Sequence, residues 1–245
     1  MKLFTKHNAF ENAFTLAEVL ITLAIIGVVA AMTMPTLIYN THGAQFKTAY
    51  KKALSVLNQA VVMNLALDSY DFAGTTSNAP SAAGEEPTDT GISSLYRIFA
   101  ERTNGELMRA VDLNGDREKI PPYKVSIKDD GTDASGVTPA VIGASNYVFR
   151  FQDDIVFTFD GSKGNCTEAK PCFGWIDTNG KKGPNRSVSC TQSEDRVCTS
   201  KVTINNDIYP IKFYDQTVAP ASAAARAVLY GSENEAETTE QETES

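Results

Sequence analysis

The sequence predicts an α+β fold in which a long N-terminal helix packs on a small antiparallel sheet. The first observation is an apolar run over residues 14–34 that contains a single charged residue, Glu18. The second is a set of apolar residues that recur at spacings of three and four from Phe46 to Leu65, which is the period of an amphipathic helix. The third is a group of segments with alternating aromatic residues after residue 145, which is typical of strands.

The apolar run at 14–34 is long enough to cross a bilayer. Its 21 residues would form about 31 Å of helix at roughly 1.5 Å per residue, close to the thickness of the hydrocarbon core. A carboxylate inside such a span costs on the order of 2.5 to 3.5 kcal/mol near the bilayer centre, so Glu18 needs a partner and indicates function. Pro35 follows the run, and we expect it to bend or interrupt the helix near the membrane surface.

The first thirteen residues differ from an ordinary secretory signal. A secretory signal is cut after its apolar core, which is then lost, whereas here the small residue Ala13 precedes the core. A cut between Ala13 and Phe14 would keep the apolar helix and create a new α-amino group one helical turn from Glu18. Lys2 and Lys6 predict a cytoplasmic N-terminus, with the rest of the chain on the far side of the membrane.

This segment resembles the N-terminal signature of type IV pilins and type II secretion pseudopilins. The residues that match are Phe14, Thr15, Leu16, Glu18 and Pro35. Ala13 stands where the family usually has glycine. The resemblance implies that a prepilin peptidase cuts between Ala13 and Phe14 and that the new N-terminus is methylated.

The resemblance also implies a role and a location. The expected protein is a pilin-like structural subunit with a single pass through the inner (cytoplasmic) membrane and its C-terminus outside. It would assemble with other pilin-like subunits, on the assembly platform of a pilus or secretion system, into a periplasmic or extracellular filament. Phe14, Glu18 and Pro35 are the implied assembly residues, since the family pairs the carboxylate with the amine of an adjacent subunit. The alternative is a cell-surface binding domain that is tethered by an uncleaved signal anchor.

Composition divides the chain into five predicted segments. They are a leader at 1–13, a transmembrane or filament-core helix at 14–34, its amphipathic continuation at 35–72, a globular head at 73–230, and an acidic disordered tail at 231–245. The net charge is −8, and six glutamates of the tail account for most of it. Lys47, Lys51 and Lys52 cluster on a helix that also carries apolar residues, so we expect a solvated face and no direct binding of nucleic acid.

Within the head, the sequence predicts one short helix and several strands. The predicted helix covers residues 92–108, and the strands cover residues 123–127, 146–151, 155–159, 174–177 and 207–214. The second and third of these strands should form a hairpin, because only three polar residues separate them. Pro210 indicates that the last strand lies at an edge of the sheet.

Four cysteines, Cys166, Cys172, Cys190 and Cys198, follow the predicted span. They lie in the compartment where disulfides persist, and four cysteines permit three pairings that sequence alone cannot decide. Short loops flanked by turn residues favour Cys166 with Cys172 and Cys190 with Cys198. Each bond would contribute roughly 2 kcal/mol. Zinc is the competing interpretation, but the spacings miss the usual pairs of zinc ligands.

The loop that begins at Asp177 is the candidate cation site. Asp177 and Asn179 offer oxygen ligands of the kind that Ca²⁺ prefers, and some pseudopilins bind calcium in a late loop of the sheet. A simple turn at Asn179 and Gly180 is the other interpretation. Neither His7 nor His42 lies in a signature for a nucleophile, a phosphate loop or a zinc protease, so we predict no enzymatic activity.

Overall fold

The chain divides into two compact units, Met1–Thr41 and His42–Ser245. The computed structural model describes residues 15–80, 86–87, 91–108, 145–180, 182–184, 186–190, 193–194, 197–198 and 206–230. The predicted strand at 123–127 therefore lies outside the described residues, as do the leader and the acidic tail. The described part combines one long helix, two short helices and a six-stranded antiparallel sheet, which is the predicted α+β arrangement.

Helix α1 spans Leu16–Asp68, and Pro35 lies inside it. Of the two outcomes expected at Pro35, an interruption of the helix is therefore wrong, and a bend stays a prediction. Proline removes one backbone donor from a helix of 53 residues, and the hydrogen bonds on either side carry the helix through it. Apolar helices of the membrane-spanning type commonly tolerate proline in this way.

The part of α1 after His42 is amphipathic, as its spacing predicts. Its buried side chains include Phe46, Tyr50, Ala53, Leu57 and Val61. These positions recur every three or four residues, so they form one stripe that faces the core of the second unit. The apolar period therefore predicts the inward face of this helix correctly.

The six-stranded sheet has the order β1-β2-β3-β4-β7-β8, and every neighbouring pair is antiparallel. Its strands are β1 Glu106–Leu107, β2 Asn146–Arg150, β3 Val156–Asp160, β4 Cys172–Asp177, β7 Ile208–Tyr214 and β8 Thr217–Pro220. A separate two-stranded pair consists of β5 Ser193–Glu194 and β6 Val197–Cys198. The predicted hairpin is β2 and β3, and the predicted strands at 174–177 and 207–214 are β4 and β7.

Aromatic side chains fill the core between the helices and the sheet. Phe99 contacts the rings of Phe157 and Phe159 at centroid distances of 4.8 and 5.1 Å. Tyr50 of α1 stacks on Tyr209 of β7 at 4.1 Å. Rings packed edge-on or offset in this way add about 0.5 to 1.5 kcal/mol per pair beyond the area that they bury. The core therefore joins α1 to the centre of the sheet.

Three backbone hydrogen bonds close a junction just beyond the end of α1. The N–H of Phe72 donates to the carbonyl of Asp215 at 2.9 Å, and the N–H of Asp215 donates to the carbonyl of Cys166 at 2.9 Å. The N–H of Cys166 donates in turn to the carbonyl of Phe72 at 3.0 Å. The segment after α1, the loop before β4 and the turn between β7 and β8 are thus held together.

Helix α2 covers Leu95–Arg102, which is shorter than the helix predicted at 92–108. Ser94 begins it as the N-cap, since its hydroxyl accepts a hydrogen bond from the N–H of Arg97. Thr103 has an extended backbone and ends it, and the chain then enters strand β1. The capping side chains therefore set limits that the apolar spacing alone did not show.

Pro210 lies in an interior strand, so the predicted edge position is wrong. It is in register with Trp175 of β4, and its carbonyl accepts from the N–H of Ala221 at 3.0 Å. In an antiparallel strand the N and O of one residue point to the same side. The missing N–H therefore faces the end of β8, just after Pro220, and the ladder with β4 loses nothing.

Helix α3, Ala223–Tyr230, and the edge strand β8 have no counterpart among the predicted elements. Alanines on α3 are buried against the core of the second unit, including Ala224 and Ala225. Asn58 of α1 holds β8 with two hydrogen bonds. Its Nδ2 donates to the carbonyl of Val218 at 2.9 Å, and its Oδ1 accepts from the N–H of Val218 at 2.8 Å.

Candidate functional site

The N-terminal part of α1 presents apolar side chains to the outside on every face. Among the described residues, one helix is long and apolar enough to cross a membrane, and its candidate span is Leu16–Pro35, with a mean hydropathy of 2.3. No part of that span is buried within the chain. A helix that is apolar on all sides requires lipid or other protein around it, because contiguous apolar surface of this size is unfavourable in water.

Polar side chains inside the span bond to the helix itself. The hydroxyl of Thr22 donates to the carbonyl of Val19, and that of Thr33 donates to the carbonyl of Val29, each at 3.0 Å. These hydroxyl donors are therefore satisfied without water. The arrangement suits an apolar environment, where an unpaired donor would be costly.

Glu18 and Thr15 form a reciprocal cap at the start of α1. The N–H and the hydroxyl of Thr15 donate to Oε2 of Glu18 at 2.8 and 2.7 Å. The N–H of Glu18 donates back to Oγ1 of Thr15 at 3.3 Å. This is a capping box, in which the N-cap residue Thr15 and the third helical residue Glu18 each accept a hydrogen bond from the backbone N–H of the other.

The capping box gives Glu18 a partner that our sequence reasoning missed. The signal was present, since Thr15 and Glu18 form the pattern of a threonine followed three residues later by a glutamate, just before an apolar run. Among the described residues, the hydrogen bonds to this carboxylate end on Oε2, so Oε1 is open to a second donor. Ala13 and Phe14, the predicted processing residues, lie outside the described residues, and pairing with the new amine stays a prediction.

Pro35 marks the other end of the candidate span. Its side chain is exposed, and α1 continues through it without a break. The structure thus places Glu18 and Pro35 near opposite ends of the same apolar surface. Glu18 has a polar partner there, whereas Pro35 contributes no donor.

The four cysteines form the two bonds that the short loops favour. Cys166 bonds to Cys172 and Cys190 bonds to Cys198, with Cα distances of 5.3 and 5.9 Å. The first bond ties the start of β4 to the loop that takes part in the junction with Phe72. The second bond links the segment after Val188 to the end of β6.

The loop at Asp177 has the geometry of a turn. Oδ1 of Asp177 accepts from the N–H groups of Asn179 and Gly180 at 3.0 and 2.8 Å, and Nδ2 of Asn179 donates to the carbonyl of Gly183 at 3.0 Å. Gly180 has a φ of 59°, which favours glycine. The described residues contain no group of three His, Cys, Asp or Glu side chains that could hold a metal ion. These hydrogen bonds agree with the interpretation of a simple turn, and calcium binding by Asp177 and Asn179 stays a prediction.

Comparison with known families identifies the N-terminal segment. The family model described as the prokaryotic N-terminal methylation motif matches residues 9–34. The match includes Ala13, Phe14 and Glu18 and coincides with most of the exposed apolar span. Neither the curated proteins nor the solved structures compared with this chain give a match.

Proposed function

We propose that this chain, which carries the type IV pilin and pseudopilin signature at its N-terminus, is a pilin-like structural subunit of a filament. The observation that carries the proposal is the methylation motif on an apolar helix that buries none of its span within its own chain. Such a helix needs apolar surroundings outside its own fold, which the membrane supplies first and a bundle of the same helices in a filament would supply after assembly.

The bilayer and the filament core are alternative surroundings for the same apolar side chains. Moving the span of Leu16–Pro35 from lipid to neighbouring helices leaves it in an apolar medium, so the hydrophobic effect changes little. The register between helices must then come from packing and from polar contacts. Glu18 carries the only charge on this span.

Glu18 can serve as that register contact without giving up its cap. Oε2 holds Thr15, whereas Oε1 is open among the described residues. An amine on a neighbouring subunit could therefore bond to Oε1 while the capping box stays intact. The amine that we propose is the N-terminus created at Phe14 by a cut after Ala13.

Proteolytic processing at the N-terminal end of this helix is the next part of the proposal. A prepilin peptidase would cut between Ala13 and Phe14 on the cytoplasmic side, and the new N-terminus would be methylated. The second unit would lie outside the membrane, where its two disulfides are stable. Other pilin-like subunits and the assembly platform of a pilus or secretion system would be its partners.

The mass of the N-terminal peptide of the full chain purified from the membrane tests this proposal. A chain that begins at Phe14 and carries an N-methyl group is the expected result. Ala13→Leu, which places a bulky side chain at the cut, should leave the leader attached, whereas Ala13→Gly should be processed. A wild-type chain that keeps residues 1–13 would contradict the proposal and favour the alternative of an uncleaved signal anchor that carries a surface binding domain.

A further inference from the structure

A groove in the second unit lies between α1, the end of α2 and the turn that joins β2 to β3. Its volume is about 400 Å³, which is in the lower part of the range for ligand sites. Helix α1 contributes Val56 and Met63, and the hairpin contributes Phe151 and Ile155. Ile155 is buried, Val56 and Phe151 are half-buried, and Met63 is 49% exposed. Apolar side chains therefore form the floor of the groove and part of one wall.

Two ion pairs hold the walls of the groove in place. Lys52 of α1 pairs with Asp153 of the hairpin turn at 2.5 Å, and Arg102 at the end of α2 pairs with Asp68 of α1 at 2.5 Å. Lys52, Arg102 and Asp153 are the charged side chains that line the groove in the described part of the chain. Since each already has a partner, the groove is preformed and is not suited to a charged ligand.

The rim of the groove carries exposed side-chain amides. They belong to Gln59, Asn104 and Gln152. Gln59 donates from Nε2 to the hydroxyl of Ser55 at 3.3 Å, whereas the amides of Asn104 and Gln152 have no partner among the described residues. A side-chain amide has two donor hydrogens and one acceptor oxygen, the same kinds of group that a peptide backbone offers.

The C-terminal end of α2 adds acceptors at the same place. Arg102 and Thr103 line the groove. The N–H and the hydroxyl of Thr103 both donate to the carbonyl of Phe99, at 3.1 and 2.6 Å. The carbonyls that follow Phe99 in the helix then lack a donor from the helix itself, as the last carbonyls of any helix do. Hydrogen-bond acceptors therefore lie at this end of the groove.

We propose that the groove binds an extended, uncharged peptide segment of another protein, with one bulky apolar side chain on its floor. The backbone N–H and C=O groups of such a segment match the amides and carbonyls of the rim. A charged segment would have to break an existing ion pair, and an acyl chain would leave the amides without partners. Met63 is unbranched and adaptable, so the floor selects for apolar character rather than for one residue type.

The proposal does not depend on processing or assembly, because every residue of the groove lies in the second unit. Its test uses the full chain in lipid nanodiscs that hold one chain each, and the probe is a library of short random peptides displayed on phage. Selection should enrich sequences in which one bulky apolar residue stands between uncharged residues. The enriched peptide, made synthetically, should bind in the micromolar range by fluorescence polarisation.

Two lysine substitutions on α1 locate the binding site. Met63→Lys places an unpaired cation beside the floor and should weaken binding by about tenfold or more, because an unpaired charge is costly in an apolar contact. Leu67→Lys is the matched control, since Leu67 is 64% exposed, lies one turn further along α1 and does not line the groove. It should leave the Kd unchanged. Equal losses in the two variants, or no loss in Met63→Lys, would overturn the proposal.

A second pair of variants tests recognition of the peptide backbone. Asn104→Ala with Gln152→Ala should weaken binding roughly fivefold, as expected for the loss of one net hydrogen bond. Gln45→Ala with Gln216→Ala removes two exposed amides outside the groove and should change nothing. Denaturant unfolding checks that all four substituted chains that are compared keep the wild-type fold. An unchanged Kd in the first pair would overturn the proposal.

The identity of the bound molecule decides between this occupant and others. Enriched peptides that resemble residues 16–35 would assign the groove to the apolar helix of a second copy. Enriched peptides with charged residues at their centre would contradict the argument from the paired charges. An apolar small molecule that stays bound in native mass spectrometry and blocks the peptide would assign the groove to that molecule. Each of these three results would overturn the proposal.

Discussion

The two parts of helix α1 differ in where their apolar side chains go. Before Thr41 they cover every face and stay exposed, whereas after His42 one stripe of them is buried in the core and Val62, Met63 and Leu67 remain exposed. Leu23 is 59% exposed, and Leu57 is fully buried. One helix therefore supplies two kinds of apolar surface, the first for an external environment and the second for its own fold. Their periodicity distinguishes them, because an amphipathic period implies one partner face and a continuous apolar run implies many.

The strongest test of this contrast is a pair of leucine substitutions. Leu57→Ala should lower the free energy of unfolding of the second unit by about 2 to 5 kcal/mol, because it opens a cavity in a packed core. Leu23→Ala should leave that free energy unchanged, since Leu23 lies in the first unit and its side chain is not part of the core of the second. Denaturant unfolding of the full chain in detergent measures both. Equal effects of the two substitutions would show that the two parts of α1 are not independent.

The disulfide near the junction should have the next largest effect. Replacing Cys166 and Cys172 together by serine should lower the free energy of unfolding by about 2 kcal/mol, the value for a short closed loop. The same measurement on wild-type chain after reduction is the control. Insertion of α1 into the membrane should not change, because the bond lies in the other unit. Loss of insertion in the double variant would contradict this separation.

Substitutions of Glu18 test the exposed part of α1, before Thr41. Glu18→Ala should insert normally but enter filaments at least roughly tenfold less, and each factor of ten corresponds to about 1.4 kcal/mol. Glu18→Gln separates the two roles of this residue, since glutamine can keep the capping box but carries no charge to pair with an amine. The fraction of each variant in sheared filaments, compared with the membrane fraction, is the measurement. Wild-type assembly of Glu18→Gln would show that the charge is not the register contact.

The smallest expected effect is that of the cap itself. Thr15→Val removes the hydroxyl that bonds to Glu18 and should destabilise the first turn of α1 by about 1 kcal/mol, or roughly fivefold in local opening. Thr15→Ser keeps a hydroxyl and should behave as wild type. Hydrogen exchange of the amides of Ala17 and Glu18 in detergent reports the difference. Identical exchange in Thr15→Val and the wild type would mean that the cap contributes nothing in the micelle.

Much of the fold could be predicted where apolar residues recur at a regular spacing. The stripe from Phe46 to Val61 and the hairpin of β2 and β3 follow directly from spacings of three to four and of two. Helix α3 was missed because Ala223–Tyr230 has only eight residues, mostly apolar by virtue of alanine, and a segment this short does not establish a period by itself. The edge position predicted from Pro210 was wrong because an interior strand tolerates proline where no neighbouring strand needs its missing N–H. The nitrogen of Pro210 faces the side of β8, and β8 ends at Pro220.

The site was predictable in its residues and less so in its contacts. The family match places the signature where the order around Phe14 and Glu18 predicts it. The hydrogen bonds between Glu18 and Thr15 follow from the capping-box pattern of a threonine and a glutamate three residues apart. The sequence analysis used these two residues only as part of the family signature. The burial of Thr75 and Asn78 could not be predicted from the sequence. Both are polar residues in a segment rich in small and polar residues, yet both are buried. Contacts with distant parts of the chain, such as the hydroxyl of Tyr147 on the carbonyl of Asn78, decide such cases.

The junction of Phe72, Cys166 and Asp215 has a mechanical consequence for a subunit that is pulled by its N-terminal helix. Load that reaches the end of α1 passes at once to the loop before β4 and to the turn after β7, and these are neighbouring strands inside the sheet. Six backbone pairings join β4 to β7, so the force is shared among bonds that must break together. A tensile pull would therefore reach the sheet at its interior strands, and the edge strand β1, which is farthest from β4 and β7 in the strand order, would bear little of it.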